Sequence, residues 1–207
     1  MTIDRWIALT LALVLGAMSP GPSLALVLRN TMSGGRRHGM ITGLGHGIGF
    51  GLYAFMTSAA LSFALAVHHS IEGLLRWSGA SLLIWLGYTF IRDSVSGQAS
   101  GLHFEQPDLS VRAGFMQGFF LALFNPKILA WMLAIYTPFV ERGLPMRTSV
   151  VMGLLGMCTD AIWYVTVAAV LCGTGAIRTL RIRAHILDVS MGVLMLLFGV
   201  LLAGGLL

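Results

Sequence analysis

Six long apolar runs follow one another along this 207-residue chain, at approximately 6–28, 40–67, 74–91, 113–140, 148–171 and 186–206, and short gaps between them hold most of the charge. About 20 apolar residues coiled into an α-helix match the ~30 Å hydrocarbon core of a bilayer. None of the runs alternates as a β-barrel strand would. Apolar residues make up 57% of the chain and charged ones 10%, with a mean hydropathy of +0.84. A soluble domain carries about 25% charged residues, so a water-facing surface is excluded. The expected fold is an all-α integral membrane protein, with six transmembrane helices forming one domain over 1–207.

The net charge of +5 does not point to nucleic acid, because the basic residues cluster in the gaps and read as topology signals facing phospholipid. The first, third and fifth gaps hold eight Lys and Arg residues; the termini and the other gaps hold four, namely Arg5, Arg76, Arg142 and Arg147. The odd gaps are therefore expected on the cytoplasmic side and both termini outside. Residues 1–19 mimic a signal peptide, but Asp4 and the continuation through Pro20-Gly21-Pro22 favour an uncleaved first helix. Cys158 and Cys172 lie 14 residues apart in one run. On a continuous helix that is about 21 Å, too far for a disulfide.

The two halves of the chain echo one another. Ser19-Pro20-Gly21-Pro22 falls opposite Asn125-Pro126-Lys127 at an offset of 106, and a shift of 110 lays Gly43 over Gly153. Three spans per half force the second half to enter the membrane upside down, so the chain reads as two inverted three-helix repeats, approximately 1–95 and 106–207, with helices one and four broken. Such repeats place the substrate site of a secondary transporter at broken helices near the midplane.

Pro20 and Pro22 remove two backbone donors within three residues, and Gly21 eases unwinding; Ser19 and Ser23 flank the break with hydroxyls. Asn125-Pro126-Lys127 is the counterpart in run four, and a lysine about 21 Å along a span lines a cavity or pairs internally. It suits a carboxylate. Asp160 lies near the centre of run five and has three candidate roles: counter-ion to Lys127, receptor for a substrate ammonium group, or proton carrier. His46 sits among Gly43, Gly45, Gly47, Gly49 and Gly51, a stretch that admits close backbone approach, and either relays protons or packs through a hydrogen bond. Trp163 follows Asp160 by three residues and is a weaker neighbour of the site. The remaining histidines show no metal-ligand spacing, and no nucleotide, redox or zinc motif occurs, so neither a metal nor a cofactor is expected.

On these residues the chain resembles the lysine and homoserine/threonine exporter (LysE/RhtB) family of bacterial inner-membrane amino-acid effluxers. The match runs from Pro20-Gly21-Pro22 through Gly35-Arg36-Arg37-His38-Gly39, Gly79-Ala80 and Leu86-Gly87 to Gly118-Phe119-Phe120-Leu121-Ala122-Leu123-Phe124-Asn125-Pro126-Lys127 and Pro138-Phe139. Leu82 stands where an aromatic is often found, which blurs the cargo. The resemblance implies a transporter exporting amino acids or close derivatives, homoserine/threonine-like or basic, with coupling to protons by antiport. It assigns Pro20, Gly21 and Pro22 to one half of the translocation site and Asn125, Pro126 and Lys127 to the other. The rival classes are a small intramembrane enzyme using Asp160 and His46, and a non-transporting membrane scaffold. Glycine-rich faces leave a homo-oligomer open.

Overall fold

Proline placement decides where these helices start and stop. The computed structural model describes residues 1–19, 21–67, 71–96, 110–171 and 176–205; Pro20, Cys172 and the middle gap at 97–109 lie outside them. Helix α1 spans Ile3–Met18 and ends at Ser19, whose extended backbone (φ −62°, ψ 124°) is what a residue before proline adopts. Helix α2, Pro22–Val67, then starts with proline at its first position, where no amide donor is missed. The second break repeats the device. Helix α4, Val111–Phe124, stops at extended Asn125 (φ −76°, ψ 114°), and α5, Pro126–Tyr136, restarts on proline.

The 46 residues of α2 are not one rod. Gly35 has φ 80° and ψ 173°, outside the helical region and sterically open only to glycine, and there the chain reverses. Residues 22–34 fold back along 36–67: Ser23 meets His46 and Asn30 meets Thr42. A Cβ on Gly39 would run into the Thr31 hydroxyl. The long second arm is clamped between two helices by glycines on separate faces. Gly43, Gly47 and Gly51 face α6, Met146–Thr166, where a Cβ on Gly47 would lie 2.6 Å from the Ala161 Cβ. Gly49 faces α4, where a Cβ would lie 2.6 Å from the Phe119 carbonyl oxygen. Spacing at i, i+4 lets the backbones touch and gains dispersion where bulkier residues would hold the helices apart.

A second pair completes the bundle. Helix α3, Ile71–Ser96, packs on α7, Ala176–Ala203, through Gly87 and Gly192; a Cβ on either would lie 2.7 Å from the other's carbonyl oxygen. At one end of the bundle Arg5 donates to the Pro138 carbonyl (2.7 Å) and pairs with Glu141, and Arg142 donates to the Leu65 carbonyl (3.1 Å). The Gly35 turn, the start of α4 and the π-helical turn Val167–Leu171 after α6 meet at the other.

The exterior is apolar and much of the interior is not. Ile7, Leu11, Leu44, Ile48, Phe63, Leu154 and Ile162 are exposed, whereas Asn30, Thr42, His46, Ser58, Ser149 and Asp160 are buried. An apolar surface of that extent needs lipid around it.

The expectation of six transmembrane helices is corrected. Among the described residues two helices are long and apolar enough to cross a membrane, Pro22–Val67 and Met146–Val170. The proline breaks account for two of the six: they divide the first and fourth apolar runs, leaving α1 at 16 residues, α4 at 14 and α5 at 11. Each falls short of the roughly 20 residues a span requires.

Candidate functional site

Both helix breaks open onto one small cavity of about 50 Å³. Its polar side is Ser19, Ser23, His46, Asn125 and Asp160; its apolar side includes Ala17, Phe50, Ile128 and Trp131. Ser19 and Asn125 sit at the C-caps of α1 and α4, and Gly21 and Pro22 open the first arm of α2. The structure thus gathers residues from runs one, two, four and five.

At the centre is a buried hydrogen-bonded line. Asp160 Oδ2 lies 2.6 Å from His46 Nδ1, and His46 Nε2 lies 2.8 Å from Ser23 Oγ. His46 is 1% exposed and Asp160 2%. An ionised Asp160 accepts from Nδ1–H, which leaves Nε2 to accept from the Ser23 hydroxyl; an imidazolium would donate at both nitrogens. Tyr164 closes the group, its ring edge-on to His46 at 4.8 Å. The order serine, histidine, aspartate is that of a hydrolase triad.

Counted by helical rise from the start of its apolar run, His46 would lie about 9 Å inside one boundary while Asp160 lies near midspan, depths at which two straight helices would keep them apart. They do meet, and the Asp160 partner seen in the structure is His46. The side chains of Pro126 and Lys127 lie outside the described part of the structure; their backbones form the first two positions of α5, directly after cavity-lining Asn125. Trp163 does not line the cavity. It packs with the Leu24, Val27, Tyr164, Val167 and Ala168 cluster.

Two residues that matter were not singled out from sequence. Ser23 entered only as a flank of the break, although it terminates the His46 line. Trp131 walls the apolar side of the cavity and lies so close to Gly16 that a Cβ there would sit 2.7 Å from its indole nitrogen. The signal for the second was the glycine, since a bulky ring needs a partner without a side chain. Among the described residues no group of three or more His, Cys, Asp or Glu side chains converges as metal ligands would.

The LysE type translocator family matches residues 14–205. An "Uncharacterized membrane protein" of Vibrio cholerae is 30% identical over 175 residues, covering 78% of each chain. A "Homoserine/homoserine lactone efflux protein" of Salmonella typhimurium is 25% identical over 163 residues, again covering 78% of each. No solved structure matches the chain.

Proposed function

The chain belongs to the LysE type translocator family, a membrane transporter family, and from that premise we propose that it exports small amino acids or close derivatives across the bacterial inner membrane by proton-coupled alternating access. The observation that carries the reading is the convergence of two proline-broken helix ends on one cavity with a buried His46–Asp160 pair, inside a bundle with an apolar exterior.

Alternating access needs two units that rock against each other, and an inverted repeat supplies them. The α2–α6 crossing supports one. Gly47 meets Ala161 and Gly51 meets Met157; shifting by 110 exchanges these two contacts. Gly43 against Val165 and Gly153 against Phe55 exchange in the same way. Under that shift the His46–Asp160 pair maps onto Gly156 and Phe50, which also touch but carry no polar pair. The proton-handling group therefore exists once, on one side of the pseudo-axis.

In this reading Lys127 and the orphan backbone amides at the starts of α5 and α2 hold the substrate carboxylate, since helix N-termini favour anions. Asp160 is the carboxylate in the described cavity wall and it is engaged by His46. An uncharged side chain against Phe50, Ile128 and Trp131 therefore fits better than lysine or arginine, whose ammonium or guanidinium would find no free acid. In this reading the Gly35 turn faces the cytoplasm and the end bearing Arg5, Glu141 and Arg142 faces outside, an orientation that the charge asymmetry supports.

Counterflow in proteoliposomes tests this reading. Small neutral amino acids and homoserine should exchange, whereas lysine should not; preferential lysine exchange would overturn the cargo assignment. The Ser23–His46–Asp160 line favours a second reading, ester or lactone hydrolysis. It predicts labelling by a fluorophosphonate that S23A abolishes. Export predicts no labelling.

A further inference from the structure

The polar line at the cavity does not end at Ser23 and His46. One face of the second α2 arm carries His38, Thr42 and His46 at intervals of four, and they are 3%, 0% and 1% exposed. The first arm answers with Ser23 and Asn30. Two rungs are closed by hydrogen bonds, Ser23 to His46 and Asn30 Nδ2 to Thr42 Oγ1 (3.0 Å). Asn30 Nδ2 also donates to Gln117 Oε1 on α4 (2.8 Å), and Arg29 donates to both amide oxygens.

The third rung is His38, buried with neither ring nitrogen hydrogen-bonded to any described residue. A neutral imidazole presents one donor and one acceptor, and leaving either buried without a partner costs about 1–3 kcal/mol. Such a cost needs an explanation, and water supplies one. His38 Nε2 and Thr42 Oγ1 both lie 3.1 Å from the point that a Cβ on Gly114 would occupy, so they are at most about 6 Å apart, within reach of one bridging water. The Thr42 hydroxyl donates to the His38 carbonyl (3.0 Å) and accepts from Asn30, so toward such a water it has a lone pair to offer. Beyond His38, residues 32–37 around the Gly35 turn are exposed. From His46 to His38 the ladder covers eight residues, about 12 Å of helix.

We propose that the interior of the α2 hairpin is a hydrated proton path, in which His38, Thr42 and the water between them connect the His46–Asp160 pair to the aqueous face at the Gly35 turn. An imidazole takes up a proton at one nitrogen and releases the one on the other, so His38 passes a proton with no net change of charge and is left as the other tautomer, which a ring flip or a return proton resets. The charged side chains of the elements meeting at this end are Arg29, Arg36, Arg37 and Arg112, and the end of α6 adds none. The small face of α4 is part of the device. Gly114 and Gly118 pack on His38, Thr42 and His46 without a side chain to plug the hairpin.

The inference rests on proton coupling, so the experiment has an arm that does not. In a background with Cys158 and Cys172 replaced by serine, H38C and T42C should react with silver ion added in water, read as protection from later maleimide labelling in denaturant. No protection at either position means a dry hairpin and overturns the path, whatever the cargo. In proteoliposomes H38Q and T42V should keep substrate counterflow within about two-fold yet lose ΔpH-driven transport by at least ~10-fold, the scale of a lost proton-transfer group. T42S should restore it. Normal ΔpH-driven transport in H38Q, or T42S behaving as T42V, overturns the assignment. Failure of the transport reading looks different: no solute moves in the unmodified protein while silver access persists.

Discussion

Replacing Asp160 with asparagine separates coupling from architecture. The carboxylate accepts a 2.6 Å bond from His46 Nδ1 in a site where both side chains are almost fully buried. Asparagine keeps an oxygen to accept that bond and loses the charge. A hydrogen bond to a charged group contributes about 1.5–3 kcal/mol and a neutral one about 0.5–1.5, so D160N should cost roughly 1–2 kcal/mol. D160A strands the imidazole without its acceptor and should cost about 3–5 kcal/mol, the scale of a broken buried pair. Thermal unfolding of the detergent-purified proteins should therefore rank wild type, D160N and D160A in that order, with the larger gap at the second step. Transport should rank them differently. D160N should retain counterflow, which needs no net proton movement, and lose proton-driven export by at least ~10-fold. Full ΔpH-driven export in D160N would refute the coupling role, and a D160A protein as stable as D160N would refute the energetic one.

Four further substitutions address packing, cargo and the second helix break. G47A should destabilise by about 1–3 kcal/mol, because its Cβ must fit 2.6 Å from Ala161; G73A, with nothing within 4 Å, should be stabilising by up to about 1 kcal/mol. Equal melting shifts for the two would contradict the glycine-seam account. G16A should drive the Trp131 indole toward the cavity and lower leucine counterflow relative to alanine by about 10-fold or more, as a lost methylene-sized space does; an unchanged ratio would remove Trp131 from the cargo wall. K127A should weaken binding of amino acids with a free carboxylate far more than of their amides, measured by isothermal titration, and equal losses would show that Lys127 does not read the carboxylate.

Much of the site was legible because it announces itself by violating the solvent. Pro22 and Pro126 cannot continue a helix, and both begin one here. Asp160 at membrane depth needed a partner and has one. The glycines of run two needed a close neighbour, and α6 and α4 supply it. The helix count was not legible in the same way. Apolar runs record composition, and a run crossing a proline break contains two short helices that composition cannot distinguish from one long one. The union of Ser23, His46 and Asp160 was hidden for a related reason. Depths counted along straight helices ignore the offset introduced at each break, and the decisive contact lies 114 residues apart in sequence. Trp131 was hidden because an aromatic in an apolar run looks the same against lipid as against a cavity.

The central claim is that one solute-binding cavity is coupled to one buried proton-handling pair. Purified protein in sealed liposomes with a pH-sensitive dye inside should show proton movement in the opposite direction whenever a small neutral amino acid is exported, and D160N should abolish the proton signal while exchange continues. Export with no accompanying proton movement, or proton movement that persists in D160N, would contradict the account.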